Sequence, residues 1–86
     1  MTIYIVSYAC YDEVDYNLYT SRKVFADKLE AAKTLQSWAN SAWETITDEG
    51  ERPESVIHID RGVNHISYER IDSYMKILVE LTEHEI

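Results

Sequence analysis

The chain of 86 residues carries 16 acidic and 8 basic side chains, a net charge of −8, 45% apolar residues, 12% aromatics and a single cysteine. That length supports one hydrophobic core and one domain over 1–86, and the apolar content excludes intrinsic disorder. The charge sign opposes phosphate backbones and anionic lipid, so direct nucleic-acid or membrane binding is not expected.

The lone Cys10 has no internal partner for a bridge, which points to a reducing, cytoplasmic setting. No stretch approaches the roughly 18 apolar residues of a membrane span, and the first residues lack the basic start and apolar run of a signal peptide.

In chain order, Thr-Ile-Tyr-Ile-Val-Ser-Tyr-Ala-Cys-Tyr over 2–11 is dominated by β-branched and aromatic residues and predicts a strand. Asp12-Glu13-Val14-Asp15 is a polar connection, and 16–25 resumes the strand pattern with Leu18, Val24 and Phe25 as apolar anchors. The two segments predict an antiparallel hairpin.

The period then changes. Leu29, Ala32, Leu35, Ala39, Ala42, Trp43 and Ile46 recur at three- and four-residue spacing, the stripe of an amphipathic helix over 28–47, with Trp38 and Trp43 flanking it. Asp27 stands at the N-cap with Glu30 three residues on, and Gly50 and Pro53 fall in the acidic run that ends the helix.

Residues 56–59 read as a short strand broken at Asp60-Arg61-Gly62. Ile66 and Tyr68 alternate with polar Ser67 and Glu69, and Met75, Ile77, Val79 and Leu81 with Lys76, Leu78, Glu80 and Thr82, as strands do. A helix over 68–83 also fits Ile71, Met75, Leu78 and Leu81. Strands are preferred because a second hairpin covers an otherwise open sheet edge. The expected fold is α+β, an antiparallel β-β-α-β-β sheet with one long helix on one face.

No catalytic, cofactor or metal motif emerges. His58, His65 and His84 lack ligand spacing, the two glycines lie in no phosphate-cradling run, and Asp12, Glu13 and Asp15 lack the turn glycine of a calcium loop. Cys10 with a distant histidine could pair as nucleophile and base only if the fold brings them together. A small buried thiol is the simpler reading.

Charge placement says more than any motif. The half from Glu44 onward carries −7 of the net −8. Its strongest groups are Glu44, Asp48, Glu49, Glu51 and Glu54 after the helix and Glu80, Glu83 and Glu85 near the end. If both border one edge they form one negative patch, and same-face strand residues about 7 Å apart would space it like successive phosphates. Excess acid that merely keeps the chain soluble is the alternative. Five of the seven tyrosines lie in the first hairpin, Tyr4 and Tyr19 among them, which marks an exposed sheet face as a partner or dimer surface.

Ile5-Val6-Ser7-Tyr8, the acidic turn, and Val24-Phe25-Ala26-Asp27-Lys28-Leu29-Glu30-Ala31-Ala32 together resemble the strand, strand, helix opening of small acidic phage-encoded accessory proteins, anti-CRISPR and anti-restriction proteins among them. The resemblance covers the first half and transfers no functional residue. It implies a non-enzymatic, DNA-mimicking inhibitor that plugs the basic groove of a nuclease or other nucleic-acid-binding protein. Lys28 and Lys33 interrupt the helix acids and depart from an extreme mimic. The expectation is thus an acidic protein-binding inhibitor, with a homodimeric or antitoxin-like interaction module as the alternative.

Overall fold

Residues whose side chains branch at Cβ or carry rings prefer a pleated surface, and they make up seven of the eleven residues of the first strand, β1 (Thr2–Asp12). In the computed structural model, which describes residues 1–12, 17–47, 57–70 and 75–86, β1 pairs antiparallel with β2 (Asn17–Phe25). The helix α1 (Lys28–Thr47) follows, then β3 (Ile57–Arg61), β4 (His65–Arg70) and β5 (Met75–Glu85). The strands form one antiparallel sheet in the order β2-β1-β5-β4-β3. The fold is therefore α+β, a five-stranded antiparallel sheet with one helix packed on one face.

The register sorts the side chains. Tyr4, Val6, Tyr8 and Cys10 of β1 stand level with Glu83, Leu81, Val79 and Ile77 of β5 on the helix-bearing face. Ile66, Tyr68 and Arg70 of β4 join them through Val79, Ile77 and Met75. Val6, Ile77, Val79 and Ile46 are almost completely buried. Burial at this centre, about 25 cal/mol per Å² of apolar surface, drives the helix onto the sheet.

Three alanines, Ala31, Ala39 and Ala42, meet the sheet together with Ile46, so the helix axis approaches closely without overpacking. Trp38 and Trp43 leave this stripe on opposite flanks, as expected. Trp38 packs its ring against Tyr8 at 6.4 Å and Trp43 against Tyr68 at 5.4 Å.

Leu29 and Ala32 do not belong to the stripe. Leu29 is 61% exposed and Ala31 is buried in their stead. With 3.6 residues per turn, Leu29 points about 140° away from Ala42, which with Ile46 sets the phase. Asp27 does cap the helix, its Oδ1 accepting from the Leu29 amide at 2.9 Å.

The last third is strand, not helix. Residues 71–74 lie outside the described residues, but β4 and β5 flank them and pair Arg70 with Met75. β3 runs through Asp60 and Arg61, where a break was expected, and the turn falls at 62–64 instead. There the Gly62 amide donates to the His65 carbonyl at 2.9 Å and the Leu81 amide to Asn64 at 2.7 Å. Both edge strands carry charges, Arg22 and Lys23 on β2 and Asp60 and Arg61 on β3, which discourage further strand addition.

Candidate interaction site

The ladders fix which ends of the elements lie together. Asp12 pairs with Asn17 and with Met75, Met75 with Arg70, and Arg70 with Ile57. The helix C-terminus joins the same end, because Arg70 Nη1 donates to the Ile46 carbonyl at 2.9 Å. The described residues that flank 13–16, 48–56 and 71–74 therefore all sit at one end of the sheet. Those three segments contain Glu13, Asp15, Asp48, Glu49, Glu51, Glu54 and Asp72 against one base, Arg52. Glu44, exposed and one turn before the helix end, belongs to the same end. Asp48, Glu49, Glu51 and Glu54 themselves lie outside the described residues.

The remaining acids expected in one patch are elsewhere. Glu83 stands level with Tyr4 and Glu85 with Thr2, eight and ten residues along β5 from Met75. At about 3.3 Å per residue that separates them from the Met75 end by roughly 26 to 33 Å, several times the ~8 Å screening length of physiological salt. Glu85 is also engaged, its Oε2 accepting from the Thr2 hydroxyl at 2.6 Å and its Oε1 lying 3.4 Å from the N-terminal ammonium. Glu80 is on the opposite face, between Ser7 and His65. One continuous patch of Glu44 with Glu80, Glu83 and Glu85 does not form.

The tyrosines also differ from expectation. Tyr4, Tyr8, Tyr19 and Tyr68 share the helix-bearing face, and only Tyr11 among the described tyrosines lies on the open one. Burying aromatic rings beside the helix removes more apolar area from water than leaving them on the wet face. The open face instead carries Ile3, Ile5, Ala9 and Leu78, with Arg22, Glu69, Lys76 and all three histidines around them.

That placement separates the Cys10 thiol from His58, His65 and His84, which lie across the sheet. No Cys-His pair is assembled. His84 shares a hydrogen bond with the Thr82 hydroxyl at 2.9 Å, and His65 Nε2 lies 3.8 Å from Asp60. Among the described residues no group of three or more His, Cys, Asp or Glu could hold a metal ion. No helix in the described residues is long and apolar enough to cross a membrane.

Between α1 and the first hairpin, and toward the acidic end, a groove of about 390 Å³ opens. Tyr8 and Cys10 of β1 floor it, Tyr19 and Ser21 of β2 form one wall, and Trp38, Ser41 and Thr45 of α1 the other. Tyr8 meets Tyr19 edge-on at 6.0 Å and 74°, and Trp38 at 6.4 Å and 88°. Burial pushes the Tyr8 hydroxyl above its ordinary value, with Cys10 and Tyr19 adding to the rise and a hydrogen bond with Thr45 opposing it. The phenol stays neutral at physiological pH.

Sequence reasoning had singled out Tyr19 but not the groove, whose walls come from three elements. It also missed Arg70, 6% exposed and bound to the helix end. A signal for Arg70 was present: the last turn of α1 has no basic residue, and although the Thr47 hydroxyl serves the Trp43 and Glu44 carbonyls, that of Ile46 takes its donor from Arg70.

Comparison with protein-family models, with curated proteins and with solved structures finds no match.

Proposed function

We propose that this chain is a non-enzymatic binding protein whose acidic end docks on a basic surface of a partner protein and so blocks that surface to nucleic acid. The observation that carries this reading is the gathering of the flanking residues of three acidic segments at one end of the sheet. The three segments carry seven of the 16 acids against one base, Arg52, with Glu44 exposed nearby, and the described bases at this end are Lys76 and the buried Arg70. Charges carried on segments tethered at one end of a sheet reinforce one another's field, whereas acids spread over the surface serve solubility alone.

Such a field steers a cationic surface toward this end and sets the association rate. The inhibitory, anti-defence role implied by the resemblance of the first half fits this arrangement, with occupancy as its mechanism. Lys28 and Lys33 belong to the far half of the helix, away from the acidic end.

The test is competition. Bait carrying the chain is incubated with cell extract at low salt, and bound proteins are released with duplex DNA. Nucleic-acid-binding proteins should elute with DNA and with high salt, and should be lost when Glu49, Glu51 and Glu54 are changed to Lys. Retention that ignores DNA and survives the triple change would overturn the reading.

A further inference from the structure

The groove beside the acidic end has no role yet. Its volume of about 390 Å³ falls in the range of small-ligand sites. Its lining is unusual in kind: three aromatic rings, three aliphatic hydroxyls and no carboxylate. The rings are set nearly at right angles, Tyr8 to Tyr19 at 74° and Tyr8 to Trp38 at 88°. Tyr19 and Trp38 thus face the groove from the hairpin and from the helix, over a Tyr8 floor. Tyr19 is 63% exposed, an open ring on a chain of this acidity.

We propose that this groove receives an arginine side chain of the basic partner. The inference rests on the function proposed above and names the chemistry that anchors it. Aromatic faces attract cations, and a guanidinium, planar and weakly hydrated, stacks on them where an ammonium must shed tightly held water. Its five N–H groups also match the acceptors at hand, the hydroxyls of Ser21, Ser41 and Thr45. A trimethylammonium has no N–H to offer the Ser21 and Ser41 hydroxyls. A neutral ring would gain nothing from the negative field.

Charge complementarity selects the same occupant. Glu44 follows Ser41 by one turn on the exposed flank of α1, and Asp12, next to the acidic segment 13–16, ends the strand that floors the groove. Of the two cations on β2, Arg22 belongs to the opposite face and Lys23 is occupied over the Phe25 ring at 5.3 Å. A guanidinium therefore arrives from the acidic end, steered by the carboxylates and held by the rings. Steering sets the rate and the groove sets the residence time.

The test titrates the full chain with fluorescent nonapeptides of arginine, lysine and trimethyllysine, equal in charge, and reads anisotropy. The arginine peptide should bind about tenfold tighter than the lysine peptide. Tyr19→Leu and Trp38→Leu should abolish that preference, bringing the arginine peptide down to the affinity of the lysine peptide. Because Tyr19 is exposed, its variant keeps the fold and guards against misfolding of the Trp38 variant. Changing Glu49, Glu51 and Glu54 to Lys should weaken both peptides alike and keep their ratio. Equal binding of arginine and lysine peptides, a preference that survives both ring variants, or tighter binding of trimethyllysine would overturn the groove assignment and leave the acidic end standing. Absence of binding by any peptide would overturn both.

Discussion

The Arg70 guanidinium donates to the Ile46 carbonyl at 2.9 Å, tying the end of β4 to the last turn of the helix. Arg70 is only 6% exposed, and its positive charge lies where the helix dipole is negative. Arg70→Ala leaves a buried carbonyl without this donor and should cost about 2 kcal/mol, read by urea unfolding. Amide exchange in the last turn of α1 should quicken with it. Arg70→Met, which keeps the apolar stem, should recover only part of the loss, and full recovery would mean that packing alone held the helix end.

Gly62 meets the His65 ring so closely that a Cβ there would stand 2.2 Å from Cε1. Gly62→Ala must therefore swing the imidazole aside and break its approach to Asp60. The expected loss is about 1 kcal/mol in thermal unfolding. In a His65→Ala background the same change should cost little, because the obstruction is gone.

Core and surface aliphatics should separate cleanly. Ile77, fully buried between Cys10 and Tyr68, should lose about 3 kcal/mol on change to Ala. Val24, 56% exposed on the open face of the edge strand, should change stability by less than about 0.5 kcal/mol.

Alkaline stability reports on the groove. The Tyr8 phenol is raised above its ordinary 10.0 by burial first, so the unfolded chain ionises it before the folded chain does. Stability from this group is complete below about pH 10 and falls as pH rises beyond it. The parent should lose stability faster than Tyr8→Phe above that pH, measured by urea midpoints, and parallel curves would show the phenol to be unperturbed.

Much of the fold was legible because periodicity is local. The helix bounds of 28–47 and its Asp27 cap follow from local signals, whereas the residues of β5 also fit a helical period and read as strand because a second hairpin covers an open sheet edge. The phase of the helix was not, since Leu29 reads as core until Ala42 and Ile46 fix the buried direction. Nor was the face of the tyrosines: alternation shows that Tyr4 and Tyr8 share a side, but only the helix position decides which side is covered. The acidic groups near Glu44 and near Glu83 look alike in sequence. Pairing of Met75 with Asp12, and of Glu85 with Thr2, sends them to opposite ends.

The central claim is that one end of the molecule, and not its overall charge, recruits a basic partner. Stopped-flow association of the lysine nonapeptide tests it, comparing two variants of equal net charge across a salt series. One changes Glu49, Glu51 and Glu54 to Lys, the other Glu80, Glu83 and Glu85. The first should slow association about tenfold at low salt and flatten its salt dependence, while the second stays near the parent rate. Equal slowing by both variants would contradict the claim.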